Sequence, residues 1–180
     1  MGPIFTRNAN NPADAFGIAP SGFQKRLLCE MRDLTQNPDV QSYFRFENSG
    51  EYEGKFCING YLLPQSEPYK NGAFKVRIII TGYFPFGPPK LQLLTPIYHP
   101  AVNGDISKPE FCCDCYSFEG RATSRISDFI KYYVSVIDYP GYGCDCNREA
   151  RVLYHENRAL YNEIALEKVR RYAHPRQINP

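Results

Sequence analysis

Long hydrophobic runs are missing from this sequence. The richest, Val76 to Ile80, is broken by Arg77, whereas a membrane-crossing helix needs roughly 20 apolar residues. The start of the chain lacks a basic stretch leading into an apolar one, so no secretory signal is expected. Charge of one sign is equally scarce: 21 Lys and Arg face 19 Asp and Glu, for a net charge of +2. So small an excess argues against nucleic acid or an anionic membrane as a partner. Met1-Gly2-Pro3-Ile4-Phe5-Thr6 does fit the short N-myristoylation pattern. Such a pattern arises easily by chance, however, and Pro3 stiffens the chain directly after the acceptor glycine. No segment repeats. A cytoplasmic or nuclear location, or both, is the expectation.

What is present describes an ordinary folded domain. The 180 residues are 43% hydrophobic and 22% charged, enough to bury a substantial core. Without a secretion signal the seven cysteines are expected to stay reduced and available for reactivity or metal. Cys112, Cys113, Cys115, Cys144 and Cys146 fall in two short clusters, which calls for an explanation.

Residues 1–20 are rich in Asn, Ala, Gly and Pro without an apolar period, and read as a flexible extension. Ser21 can cap a helix. Phe23, Leu27, Leu28, Met31 and Leu34 then recur at helical spacing until Asn37-Pro38 ends the segment. Lys25, Arg26 and Arg32 lie off that stripe, as a solvated face would. Strand-like segments follow at Tyr43 to Glu47, Tyr52 to Leu63, Ala73 to Thr81 and Lys90 to Thr95. Their short Gly- and Pro-bearing links favour an antiparallel meander, because parallel pairing needs long crossovers. From Pro96 to about Gly120 no period survives, and a stretch so long is usually functional. Helical patterning resumes at Ser124 to Val136, with Ile126, Phe129, Ile130, Tyr133 and Ile137 on one face. After Pro140-Gly141, Asn147 to Ala173 has the composition of two helices. The order predicts an α+β domain over 21–174, with a C-terminal tail at 175–180.

Several motifs in that order resemble the ubiquitin-conjugating enzymes. Pro68-Tyr69-Lys70-Asn71-Gly72-Ala73-Phe74 is similar to the family's lead into the third strand. Tyr83-Phe84-Pro85-Phe86-Gly87-Pro88-Pro89 looks like its Tyr-Pro-Phe-x-Pro-Pro turn. Ile97-Tyr98-His99-Pro100 resembles the start of Ile-Tyr-His-Pro-Asn. Phe111-Cys112-Cys113-Asp114 sits where the family has Ile-Cys-Leu-Asp. Counted onward from Cys112, Ile126-Ser127, Tyr154, Tyr161-Asn162 and Tyr172-Ala173 meet family positions as well. The resemblance spans about 21–174, and it implies the ubiquitin-conjugating fold: an N-terminal helix, a four-stranded antiparallel meander, an active-site loop and C-terminal helices.

The resemblance also implies a chemistry. The cysteine accepts ubiquitin or a ubiquitin-like protein as a thioester, then passes it to a lysine or to a ligase cysteine. A thiolate must form, an attacking lysine must lose its proton, and a positioned donor must stabilise the oxyanion. Cys112 matches the nucleophile, with Cys113 and Cys115 as alternatives. Asp114, His99, Asn103 and Asp145 complete the candidate site. Several helpers depart from the family pattern. Ala101 replaces the family's asparagine, and Asn103 is the candidate substitute. The segment between Ala101 and Cys112 is longer than usual. Cys144 stands where the family has an acid near the incoming lysine, leaving Asp145 one position later. Gly120-Arg121-Ala122 replaces Trp-x-Pro, and Cys57 replaces the tryptophan of the second strand.

Partners follow from the same resemblance. Lys25 and Arg26 match positions that bind the activating enzyme, which consumes ATP upstream. Phe86 and Ala122 mark the loops that meet a ligase of RING type, and a HECT-type ligase is the other class. The domain itself requires no cofactor. A competing reading takes Cys112, Cys115, Cys144 and Cys146 as zinc ligands, since Cys-x-x-Cys has the required spacing. Another pairs Cys112 with Cys144 in a reversible disulfide. The function is thus read as a thioester-carrying conjugating enzyme, or as a catalytically silent variant that acts as a binding adaptor.

Overall fold

Asn37 closes one helix and opens the next. In the computed structural model, which describes residues 22–82, 84, 86–112, 118, 121, 123–141 and 146–176, helix α1 runs Gly22–Gln36. The Asn37 side chain then accepts from the Asp39 N–H and caps a short helix, α2 (Pro38–Tyr43). The sequence had suggested that Pro38 ends helical structure. Proline at the first helical position instead starts a turn, because its missing N–H is one that no helix uses there.

Strands β1 (Phe44–Tyr52), β2 (Lys55–Leu62), β3 (Gly72–Ile79) and β4 (Lys90–Leu93) form an antiparallel meander in the order β1-β2-β3-β4. This is the expected sheet, with shifted strand boundaries, most of all at the first hairpin. The first strand does not stop at Glu47 but continues to Tyr52, with Gly50 paired to Cys57. The turn falls at Glu53-Gly54, where φ is 51° and 71°. Two left-handed residues make the turn whose twist matches a tight hairpin. At Gly60 a Cβ would lie 2.3 Å from the Phe44 ring, so only glycine lets these strands close.

One face of the sheet carries Phe44, Ile58, Leu62, Phe74, Val76 and Ile78. It joins Leu27, Met31 and Leu34 of α1 and Ile126, Phe129, Ile130 and Ile137 of helix α3 (Ile126–Asp138) in one buried core. Asn147 then caps α4 (Arg148–Glu156), and Asn157 ends α4 while capping α5 (Arg158–Tyr172). The predicted helical stretch is therefore two helices. Among the described residues no helix is long and apolar enough to cross a membrane.

The chain does not leave the fold after α5. His174–Pro175 forms a short strand, β5, on Gly72 and Ala73 of β3. The Arg45 guanidinium donates to the Pro175 and Arg176 carbonyls at 3.3 and 2.7 Å. Arg176 in turn donates to the carbonyls of Leu63, Pro64 and Lys70. The expected tail at 175–180 thus begins as a docked segment, held by backbone acceptors that composition does not reveal.

Helices α1 and α3 meet through buried acid. Glu30, 3% exposed, accepts from Arg26 Nε at 2.7 Å and from the Ile126 N–H at 2.9 Å. A carboxylate at a helix N-terminus satisfies an orphan donor and complements the helix dipole. One turn on, Asp33 accepts from Ser127 Oγ and Asn37 Nδ2, both at 2.8 Å, with Arg125 at 3.4 Å. Burial alone pushes the Asp33 carboxyl up, but the Asn37 and Ser127 hydrogen bonds and the Arg125 charge hold it below its ordinary value. Glu30→Ala is expected to cost roughly 2–3 kcal/mol by leaving the Ile126 N–H and Arg26 without their acceptor. Urea unfolding checks this as a lower midpoint at unchanged slope, with Glu30→Gln, which keeps one acceptor, falling between.

Candidate active site

Ala101 and Cys112 face each other at the base of a small hairpin. The Cys112 N–H donates to the Ala101 carbonyl at 2.9 Å, and the Asn103 N–H to the Glu110 carbonyl at 3.0 Å. Between them Val102 and Phe111 bridge antiparallel, with Val102 fully buried. Cys112 is only 8% exposed. The longer spacing noticed in the sequence is taken up by residues 104–109, which form the tip of this hairpin.

Asn103 holds that tip together. Its Nδ2 donates to the Lys108 carbonyl at 3.0 Å, and its Oδ1 accepts from the Glu110 N–H at 3.1 Å. Asp105 tightens the turn by accepting from the Ser107 N–H and hydroxyl at 2.8 and 2.6 Å. The Ser107 hydrogen bonds keep the Asp105 carboxyl below its ordinary value. An amide bonded at both ends is a brace. The substitute-donor role expected for Asn103 is therefore not the one its geometry supports.

His99 is likewise a brace. It is fully buried; its Nδ1 accepts from the Ala101 N–H at 2.9 Å, and its Nε2 lies 3.2 Å from the Ile137 carbonyl. Those partners fix the tautomer: Nδ1 is bare and Nε2 carries the proton. Burial pushes the imidazole down to about 3, with the Ile137 hydrogen bond pulling the other way. A neutral ring engaged at both nitrogens has no proton to exchange with a substrate. The catalytic role expected for His99 gives way to a positional one.

Two aromatic groups hold the same segment from either side. The Tyr69 hydroxyl donates to the Tyr98 carbonyl at 2.5 Å and lies 2.5 Å from the Tyr161 hydroxyl. With its own proton on Tyr98, Tyr69 receives the proton of Tyr161. Tyr154 packs edge-on against Tyr161, and Tyr98 reaches Glu149 at 3.2 Å. On the other side Phe111 rests on Tyr133 with centroids 4.9 Å apart, and Phe118 on Phe129 at 5.6 Å. Beside the hairpin a groove of about 170 Å³ is lined by Tyr98, Asn103, Ile106, Glu149, Lys168 and Tyr172.

The remaining predicted residues divide by position. Lys25 is exposed on α1. Arg26 is not the solvated charge its spacing suggested: it pairs with Glu30, and its guanidinium donates to the Ser124 carbonyl at 3.0 Å. Phe86 is 81% exposed, whereas Phe84 is buried edge-on to Phe23. Cys113, Asp114, Cys115, Ala122, Cys144 and Asp145 lie outside the described residues. So do the zinc set and the Cys112–Cys144 pairing, of which only Cys112 and Cys146 are described. Sequence reasoning missed Glu30, the Tyr69–Tyr161 pair as a unit, and Arg45 with Arg176. Each acts through a partner distant in sequence, so only a glutamate inside the apolar stripe of α1 offered a local hint.

A family model described as ubiquitin-conjugating enzyme matches residues 26–169. The Drosophila melanogaster protein "Ubiquitin-conjugating enzyme E2-18 kDa" is 31% identical over 117 residues, covering 64% of this chain and 72% of that protein. A solved structure from Plasmodium yoelii, assigned to the ubiquitin-conjugating enzymes, superposes with a TM-score of 0.72 at 24% identity. The match covers 87% of this chain and 98% of that one. The chain belongs to the ubiquitin-conjugating enzyme family and has its α+β fold. Ubiquitin, an activating enzyme and a ligase are the partners this family implies in general.

The His99 geometry carries a pH signature. A folded pKa depressed to about 3 against about 6.5 when unfolded means the unfolded chain binds the extra proton first. Stability is then full above pH 6.5 and declines as pH falls toward 3. Between pH 7.5 and 5.5 the loss from His99 is expected to be roughly 1 kcal/mol. Urea midpoints across that range check it, and His99→Gln, which cannot titrate, should flatten the slope.

Proposed function

We propose that this chain is a working conjugating enzyme that carries ubiquitin or a ubiquitin-like protein as a thioester on Cys112. The observation that supports this most is the clamp between the Cys112 N–H and the Ala101 carbonyl. It holds the cysteine's backbone at the mouth of a hairpin whose far side is tied to α3. A nucleophile that must meet two large partners in succession benefits from such fixed presentation. Charging is a thiol exchange. The Cys112 thiolate attacks the thioester carbonyl presented by the activating enzyme, whose own sulfur leaves as thiolate. ATP is consumed upstream, and the domain supplies no cofactor of its own.

Of the two basic residues matched to the activating enzyme, Lys25, exposed at the start of α1, is the open one, since Arg26 is engaged with Glu30. Phe86, the most exposed of the large apolar side chains among the described residues, is the anchor assigned to a ligase of RING type. Phe86→Ala is expected to weaken such a ligase about tenfold or more, as read by titration calorimetry, while leaving charging intact. A second reading, the silent adaptor, is favoured by the low exposure of Cys112 and by Ala101. It predicts binding without an adduct.

A charging assay separates the two. With activating enzyme, ATP and ubiquitin, a thiol-sensitive adduct is expected on non-reducing gels. Cys112→Ser should convert it to a thiol-resistant ester, and Cys112→Ala should abolish it. An adduct that survives Cys112→Ala moves the nucleophile to Cys113 or Cys115. Absence of any adduct, across ubiquitin and its relatives, hands the function to the adaptor.

A further inference from the structure

We infer that Glu110 is the carboxylate that receives an acceptor lysine beside Cys112, and that Lys108 holds the same place until the acceptor arrives. The inference rests on the thioester reading above and adds a residue to it.

The hairpin sets the geometry. Side chains alternate across a strand. With Val102 and Phe111 bridged antiparallel, Phe111 turns to Tyr133 of α3 while Glu110 and Cys112 share the opposite face. Glu110 is exposed between buried Pro109 and half-buried Phe111. Asn103 fixes its backbone on both sides. The Asn103 N–H donates to the Glu110 carbonyl at 3.0 Å, and Asn103 Oδ1 accepts from the Glu110 N–H at 3.1 Å. Two residues along a strand span about 6.8 Å. A nitrogen held about 2.8 Å from the Glu110 carboxylate can therefore stand about 3–3.5 Å from a thioester carbon on Cys112, the separation from which attack begins.

Lys108 shows what this carboxylate binds. Its Nζ lies 3.0 Å from Glu110 Oε1, and the two side chains are 75% and 55% exposed. So exposed a pair contributes little to stability, and an incoming ammonium displaces it at small cost. Asp114 and Asp145, the acids that the family resemblance supplies, are separate candidates, and the position of Glu110 does not depend on theirs.

The chemistry gives the carboxylate a task. An acceptor lysine, with an ordinary pKa near 10.4, is only about one part in a thousand neutral at pH 7.5. Its nitrogen loses one proton before attack and a second as the tetrahedral intermediate collapses. Glu110 draws the ammonium into place and relays the first proton to solvent. The nitrogen bonds to the carbonyl carbon, the carbon–Sγ bond breaks, and the departing Cys112 thiolate takes the second proton. The lysine has become an isopeptide amide, Cys112 is a thiol again, and one proton has been released.

The test is single-turnover discharge from the full chain, charged with ubiquitin and freed of ATP, to Nα-acetyl-lysine and separately to N-acetylcysteine. Glu110→Gln keeps the shape of the side chain and removes its charge. It is expected to charge normally, to slow lysine discharge about tenfold or more, and to leave cysteine exchange within about twofold. Glu110→Asp is expected to recover part of the lysine rate. Lys108→Gln, which frees the carboxylate, is expected to raise lysine discharge about twofold. Unchanged lysine discharge in Glu110→Gln overturns the inference, and so does an equal loss with both acceptors. A loss in Lys108→Gln as large as that in Glu110→Gln also overturns it, because the ion pair's hold on the hairpin is then the cause. Failure of the unaltered chain to charge overturns the thioester reading itself, a result distinct from normal charging with a lysine rate that ignores Glu110.

Discussion

His99 connects α3 to the cysteine. Its Nε2 is tied to the Ile137 carbonyl near the end of α3, its Nδ1 accepts from Ala101, and the Ala101 carbonyl accepts from Cys112. These three hydrogen bonds in series carry the position of a core helix to the backbone of the candidate nucleophile. Because the imidazole is buried and must stay neutral to accept at Nδ1, the relay depends on a ring that binds a proton only with difficulty. Losing any link would leave a buried polar group unpaired, which costs more than the bond itself contributes.

Around that relay the packing is aromatic. Tyr69, Tyr98, Tyr154 and Tyr161 tie the loop before the cysteine to α4 and α5. Phe111 and Phe118 pack on Tyr133 and Phe129 of α3. Tyrosine suits positions 69 and 161 because the rings pack while the hydroxyls complete a buried chain of donors onto the Tyr98 carbonyl. The loop between Ala101 and Cys112 grows longer without loosening because Asn103 and Asp105 close it internally. Stiffness of the hairpin and the engagement of its described polar side chains are thus the same fact, since His99, Asn103 and Asp105 hold its backbone.

The joint between α1 and α3 shows a similar double use. Arg26, whose spacing put it on a solvated face, steadies Glu30 and the Ser124 carbonyl. A residue that braces the core is held in one geometry, whereas Lys25 beside it stays exposed. At the other end of the chain, Arg45 stacks on Tyr61 and holds residues 175 and 176. That arrangement covers part of the outer face of the sheet.

Element type and order were legible in the sequence because period and turn chemistry are local. The α1 stripe, the four strands and the face of α3 are each set by residues a few positions apart. Local signals erred where a residue has two local uses: Pro38 can end a helix or start one, and Gly50 can turn a strand or lie within it. The sequence by itself also determined that Cys112 follows a Tyr-His-Pro loop and that Ala101 stands in place of an amide. The tertiary structure alone decided what His99, Asn103 and Arg26 do. A side chain with several donors or acceptors is assigned by whichever distant backbone groups reach it. Ile137, Lys108, Glu110 and Ser124 are brought to these three residues by the packing of helices and the closing of a loop, and the spacing of letters along the chain contains no record of that proximity.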